Sequence, residues 1–341
     1  MTDARLDDPV RALTARTGAI LQDLLPGGTH VALLDFPAHD NAGDSLIHLG
    51  QMAHLRRLGL VVRYLADDRT YSPTVLRKRH PAGPIFIQGG GNLGDLWPLR
   101  QDFRERLLRE HPDRPIVQLP QSMDFRDRTR RSRASAAFHA HPDLTLLLRD
   151  ETSLGRARDA FPGVRTEFCP DLAPGVGPQT RTGPVTHDVV LLMRTDGEQT
   201  GNHRIVVPRG ATTLRTDWGF RGTDRLRWDL LRAPSALARH VPSLRGPLQG
   251  TVERTFDAIA EHNVERARAV LSQGRVVVTD RLHAAVLGAL MSIPVVALDN
   301  CSGKISAAYD AYLHALPGLV FARNTEEAGA HLATLLDGGA R

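Results

Sequence analysis

The run VVVTDRLHAAVLGALMSIPVVALDNCSGK, residues 276–304, reads as strand, short helix, strand, with polar groups where each strand ends. Residues 276–279 are a β-branched apolar run, and Asp280-Arg281-Leu282-His283 stands where a parallel strand hands over to a helix. The helix should carry residues 284–291 and stop before Pro294, which cannot continue it. An arginine in a helix's first turn has the wrong sign for the helix dipole. A bound anion would explain it, because helix N-termini attract anions. The second strand, residues 294–298, ends in Asp299-Asn300 and then Ser302-Gly303-Lys304. A base, two cations and carboxylates at neighbouring strand ends make a candidate site.

Outward from this unit, short apolar strands alternate with helix-length segments, the pattern of a parallel sheet covered on both faces. In the first half the strands fall at residues 30–36, 60–65, 84–88, 115–119 and 144–148. Ile47, Met52, Leu55 and Leu58 recur at helical spacing before Gly59, and residues 96–110, 129–140 and 151–160 read as further helices. The turn-rich stretch 175–184 marks a hinge. A second α/β unit begins at 187–193 and resumes with a long helix near 252–271. The expected fold class is α/β, two Rossmann-like domains facing a cleft, residues 1–178 and 185–341, with the last helix able to pack back on the N-terminal domain. Residues 197–250, Arg-rich and broken by Pro and Gly, suggest a lid or binding segment. Strand after strand ends in polar residues, and in open parallel sheets ligands bind outside those ends.

Gly89-Gly90-Gly91-Asn92-Leu93-Gly94 satisfies G-x-G-x-x-G, but it follows the third strand and the next strand ends without an acidic ribose partner. That argues against a dinucleotide. Gly90 and Gly91 would instead let backbone approach a ligand, with Asn92 and Asp95 as polar contacts. Asn41 and Asp44 precede a helix, where they can cap it or face the cleft. Arg149-Asp150-Glu151 reads as an ion pair with helix-start acids or as a site. Arg194 ends a clean apolar strand, which is costly unless it is paired or ligand-bound. His283, near a helix N-terminus that opposes positive charge, is placed to act as a neutral base.

At 341 residues, 41% hydrophobic and 24% charged, the chain has ample material for buried cores. Cys169 and Cys301 stand alone, so neither a disulfide framework nor a zinc site is expected. The start MTDARLDDPV is no secretory signal, and no apolar run reaches the ~18–20 residues of a membrane span, so the expectation is cytoplasmic. The net charge is +5, almost all arginine; Lys78 and Lys304 are the only lysines. The basic run RDRTRRSR at 126–133 reads as a solvated helix face, at most touching an anionic membrane, and no nucleic-acid module is present.

The blocks NAGD (41–44), IQGGGNLGD (87–95), LPQS (119–122), LRDETS (148–153), CPD (169–171), LMRTDGE (192–198), TDWGF (216–220), VTDRLH (278–283) and LDNCSGK (298–304) resemble the polysaccharide pyruvyl transferases. The resemblance spans about residues 31–315. It implies a GT-B-like fold and transfer of the enolpyruvyl group of phosphoenolpyruvate to a sugar, giving a cyclic ketal and phosphate. It assigns donor binding and catalysis to Arg281 and His283 alone, with Arg194, in the matching R-x-D context, as a second donor-binding arginine; read from the chemistry, Asp280 is a further catalytic candidate and Lys304, Ser302 and Gly303 further donor-binding ones. Asn41, Asp44, Gly90, Gly91, Asn92, Asp95, Arg149, Asp150 and Asp171 would line the acceptor side. No metal or cofactor is required, phosphoenolpyruvate being a co-substrate. The acceptor would be a lipid-linked sugar, a polymer or a nucleotide sugar. The alternatives are a nucleotide-sugar glycosyltransferase on the same scaffold and a non-catalytic component of a polysaccharide pathway.

Overall fold

The computed structural model describes residues 4–24, 30–195, 205–219, 222–301 and 303–338. In the first half they form α1 (Ala4–Leu24), β1 (His30–Leu34), α2 (Ala42–Arg57), β2 (Val61–Ala66), α3 (Pro73–Arg79), β3 (Ile85–Ile87), β4 (Gly90–Gly94), α4 (Pro98–Glu110), β5 (Ile116–Asp124), α5 (Arg128–His139), β6 (Leu144–Leu148), α6 (Glu151–Ala160) and β7 (Arg165–Phe168). A short 3₁₀ turn, Ala173–Val176, leads to β8 (His187–Leu192), β9 (Thr213–Thr216), α7 (Thr223–His240) and α8 (Arg245–Ser272). Then come β10 (Gly274–Thr279), α9 (Leu282–Leu290), β11 (Val295–Leu298), α10 (Lys304–Ala311), β12 (Leu319–Ala322) and α11 (Thr325–Gly338).

The first sheet runs β2-β1-β3-β5-β6-β7, with β4 beside the far end of β5; the second runs β12-β11-β10-β8-β9. All described pairings are parallel. Both sheets reverse direction in the same way: the second strand steps to one side of the first, and the third crosses to the other. Each therefore has a switch point, between β1 and β3 and between β8 and β10, where loops diverge and leave a crevice.

Alternating residues show how the sheets are joined. Val31 and Leu33 of β1, and Val190 and Leu192 of β8, enter one shared apolar cluster with α2, α8 and α9. Their neighbours Ala32 and Leu34, and Val189 and Leu191, point into separate outer clusters. The helix α8 ties the halves together. Phe256 stacks on Phe36 with centroids 4.1 Å apart, Asn263 donates to the His39 carbonyl and Ser45 Oγ, and Gln249 donates to the Leu65 carbonyl.

Several expectations need correction. The stretch 197–250 is not all loop: α7 fills residues 223–240 and α8 starts at Arg245. Pro234 and four arginines hide the periodicity of α7. The last helix covers the second sheet through Ala328 and Leu332 rather than the N-terminal half. The glycine-rich run is a strand, β4, in which Gly94 lies against the Asp124 carbonyl at φ 148°, so no side chain fits. The expected hinge begins as a packed turn. A Cβ on Gly175 would lie 2.5 Å from the His54 ring, and Arg57 donates to the Gly175 carbonyl.

Burial, then the neighbouring Arg57, pushes His54 down to about 4. Because the folded His54 resists the proton that the unfolded chain accepts, its contribution is full above pH 6.5. It is lost as pH falls towards 4, by about 3 kcal/mol. Urea unfolding at pH 7 and pH 5 should show about 2 kcal/mol of this loss, and His54→Gln should flatten the pH slope; an unchanged slope would refute the assignment.

Candidate active site

A cavity of about 590 Å³ opens at the carboxyl ends of both sheets. Its wall draws on the two switch points: residues 38–44 after β1, Gly91 and Asn92 after β3, Arg194 and Thr195 after β8, and Arg281 to His283 after β10.

Asp171 lies just behind that wall, 2% exposed. One oxygen accepts from the Ala173 amide; the other receives Arg149 Nη1 at 2.5 Å and sits 3.3 Å from His283 Nε2. Burial alone would push this carboxyl up, but the charges of His283 and Arg149 outweigh it and hold it well below the usual range. A carboxylate accepts only, so His283 Nε2 carries a proton, and in the neutral ring Nδ1 is the acceptor. A Cβ on Gly43 would lie 2.9 Å from Nδ1. The glycine of the NAGD block thus keeps the basic face of the ring clear.

Around this ring the cavity is cationic. Arg281 is the N-cap of α9, and Asp217 clamps it with two bonds, from Nε at 2.5 Å and Nη2 at 2.8 Å. The guanidinium is therefore fixed before any anion arrives. The Arg194 amide donates to Asp280 Oδ1. Lys304, first residue of α10, reaches across from the second half, its Nζ 3.2 Å from the Gly91 carbonyl. A Cβ on Gly91 would crowd both Lys304 Nζ and Arg149 Nη2. The wall also carries Asp40, Asp44, Asp67, Asp68, Trp97 and Trp218. Arg100 braces it, paired to Asp35 at 2.6 Å and Asp68 at 3.2 Å. Burial, against the pull of Arg100, pushes Asp35 up to about 6.

Of the residues singled out from sequence, Asn41, Asp44, Gly91, Asn92, Arg149, Arg194, Arg281, His283 and Lys304 line the cavity. Asn41 also caps α2, accepting from the Gly43 amide, and its side-chain amide donates to Asp44. Others are placed differently. Asp280 is fully buried behind the wall, where it accepts from the backbone amide of Arg194. Asp171 lies behind the wall, against Arg149 and His283, and does not itself line the cavity. Asp150 caps α6 and bonds Ser122 and Ser153. Asp95 accepts from the Arg126 amide at 2.8 Å and from the Asp127 amide, away from the cavity. Gly90 sits within β4, outside the wall, and Gly303 caps α10 in a left-handed turn at φ 65°. Ser302 lies outside the described residues. Sequence reading missed Asp217, Trp97 and Asp68; only Asp217, inside TDWGF, carried a signal. Among the described residues no three His, Cys, Asp or Glu side chains are grouped to hold a metal, and no helix is long and apolar enough to cross a membrane.

A cavity shared by two switch points and lined by arginines, a lysine, carboxylates and tryptophans stands where open α/β sheets bind their ligands. The polysaccharide pyruvyl transferase family matches residues 41–302, and the chain belongs to it. Pyruvyl transferase 1 of Schizosaccharomyces pombe is 32% identical over 296 residues, covering 83% of this chain and 70% of its own. EpsO of Bacillus subtilis is 26% identical over 317 residues, 92% and 95% of the two chains. The crystal structure of the uncharacterized Klebsiella pneumoniae protein KP1_0663 shares the fold, with TM-score 0.57 at 17% identity over 91% of this chain and 98% of its own.

The Gly43 contact gives a direct test of the site. Gly43→Ala should push the His283 ring aside and lower turnover by about 10²-fold while leaving the melting temperature nearly unchanged. Full activity in this variant would show that the ring is not where the chemistry occurs.

Proposed function

We propose that the protein moves the enolpyruvyl group of phosphoenolpyruvate onto a sugar of a polysaccharide or its precursor, closing a cyclic ketal and releasing phosphate. The observation that carries the reading is the ring of Arg149, Arg194, Arg281 and Lys304 around a histidine whose Nδ1 is the accepting atom. A small dianion with a carboxylate and a phosphate asks for cationic clamps of this kind. On this reading the two-sheet scaffold works as a GT-B-like cleft.

The steps follow from the placement of groups. A proton from solvent adds to C3 of the enol phosphate and develops positive charge at C2, and a sugar hydroxyl attacks C2. His283 Nδ1 takes that hydroxyl's proton, a role worth roughly 10²–10⁴-fold in rate. Asp171 keeps the ring oriented and stabilises the imidazolium. Phosphate departs from the tetrahedral adduct, drawn by the cations, and a second hydroxyl closes on C2 with loss of its proton. Asp44 and Asp68 accept hydrogen bonds from the acceptor diol, and Trp97 or Trp218 packs against the apolar face of the ring. The bidentate Asp217–Arg281 pair holds the arginine in one orientation, so little rotamer entropy is lost on donor binding.

Titration calorimetry with phosphoenolpyruvate, beside UDP and GDP, tests the donor assignment. Saturable phosphoenolpyruvate binding, weakened at least about tenfold by Arg194→Ala, is the expected result. Nucleotide binding without phosphoenolpyruvate binding would replace this reading with glycosyl transfer.

A further inference from the structure

Arg104, on α4, is buried to 1% exposure. Among the described residues its guanidinium bonds three side-chain amides and no carboxylate. Nε donates to Gln118 Oε1, Nη1 to Gln101 Oε1 at 2.8 Å and Nη2 to Asn92 Oδ1 at 2.8 Å. Two of these acceptors are themselves held: Gln118 Nε2 donates to the Gln88 carbonyl at 2.9 Å, and Gln101 Nε2 to Glu105 Oε1 at 3.0 Å. A guanidinium with no carboxylate against it is costly to bury. Burial, against the pull of Asp35 and Glu105, pushes Arg104 down to about 10, so it keeps its charge at neutral pH.

The arrangement fixes one side chain of the cavity wall. A guanidinium only donates, so the Asn92 atom that faces it is the oxygen. Gln121 Nε2 donates to the same oxygen at 3.1 Å, and Gln121 Oε1 accepts from the Asn92 backbone amide at 2.9 Å. Asn92 Nδ2 is thereby turned the other way. It meets no acceptor among the described residues, and it is not sealed from the cavity that Asn92 lines. A donor with a full positive charge behind its own oxygen is polarised towards an anion. The preceding residue stands against the cations: the Gly91 carbonyl accepts from Lys304 Nζ at 3.2 Å, and a Cβ on Gly91 would lie 3.1 Å from Arg149 Nη2.

We infer that the Asn92 side-chain amide is a fixed donor to an anionic oxygen, carboxylate or phosphate, of the molecule bound in this cavity, and that Arg104 is its positioning residue. Arg104 touches no ligand and acts through Asn92. An unrestrained asparagine presents either its oxygen or its N–H2 group to the cavity, and the oxygen would repel an anion. Arg104 and Gln121 remove that choice before the ligand arrives, so no rotamer freedom is lost on binding. The identity of the anion as phosphoenolpyruvate rests on the pyruvyl-transfer reading. The donor polarity of Asn92 does not.

The test is titration calorimetry of the full chain with phosphoenolpyruvate and, separately, with inorganic phosphate. Asn92→Asp keeps the oxygen that Arg104 and Gln121 hold and replaces the N–H2 with a second oxygen. Its affinity for the anion should fall at least about tenfold while its melting temperature stays at or above that of the wild type. Asn92→Ala should also lose about tenfold. Arg104→Met should lose about tenfold in the wild-type background and no more than about threefold in the Asn92→Ala background, because it acts through the amide. Loss for both anions assigns the amide to phosphate, and loss for phosphoenolpyruvate alone assigns it to carboxylate. Unchanged affinity in Asn92→Asp overturns the inference, whether or not Arg104→Met folds. Equal losses from Arg104→Met in both backgrounds, the mark of a purely structural arginine, overturn its positioning role. A wild type that binds neither anion overturns the whole. A wild type that binds phosphate and not phosphoenolpyruvate strikes the proposed function, and the phosphate titrations of the same variants then decide this inference.

Discussion

A single buried carboxylate organises the site. Asp171 leaves the first sheet after β7, yet the group it steers, His283, opens a helix of the second. Removed from water, this carboxylate needs countercharge, and Arg149 supplies it from the neighbouring strand end. The histidine then receives both an orientation and a tautomer from the other half of the molecule. Any relative shift of the two sheets would break that contact, so the shared core through α2, α8 and α9 holds the geometry of the site.

The same requirement explains glycines that do nothing chemical. Gly43 and Gly91 are two places where a Cβ on the first half would press on groups from the second, His283 and Lys304. A methyl group at either would fill the space in which substrate and side chain must meet. Asp217 plays a comparable part for Arg281, holding a long and otherwise mobile side chain in one position. The polar wall is thus largely prearranged, with its reacting groups braced by residues that lie behind it.

Much of this was legible in the chain. The strand–helix–strand unit at 276–304 places β10, α9 and β11 to within two residues at each end, because β-branched runs and Pro294 mark its limits. The strand-end rule placed Arg194, Arg281, His283 and Lys304 on one cavity. What was hidden depends on distance across the fold. Asp171 and His283 are 112 residues apart, so nothing local distinguishes a cleft acid from one buried under a histidine. Asp280, Asp150 and Asp95 share the same sequence setting, a polar residue after a strand, but their side chains turn to backbone amides and caps. The amphipathic α7 was read as loop because its apolar stripe faces solvent, among arginines and a proline.

The decisive measurement is phosphate release from phosphoenolpyruvate with a panel of aryl hexosides and N-acetylhexosaminides, for the wild type and for His283→Gln. The account predicts that the wild type releases phosphate only with an acceptor, in step with a ketal seen by mass spectrometry. The variant should bind phosphoenolpyruvate within about twofold of wild type yet turn over roughly 10²–10⁴-fold more slowly. Equal turnover in the variant, or phosphate release without ketal, would contradict it.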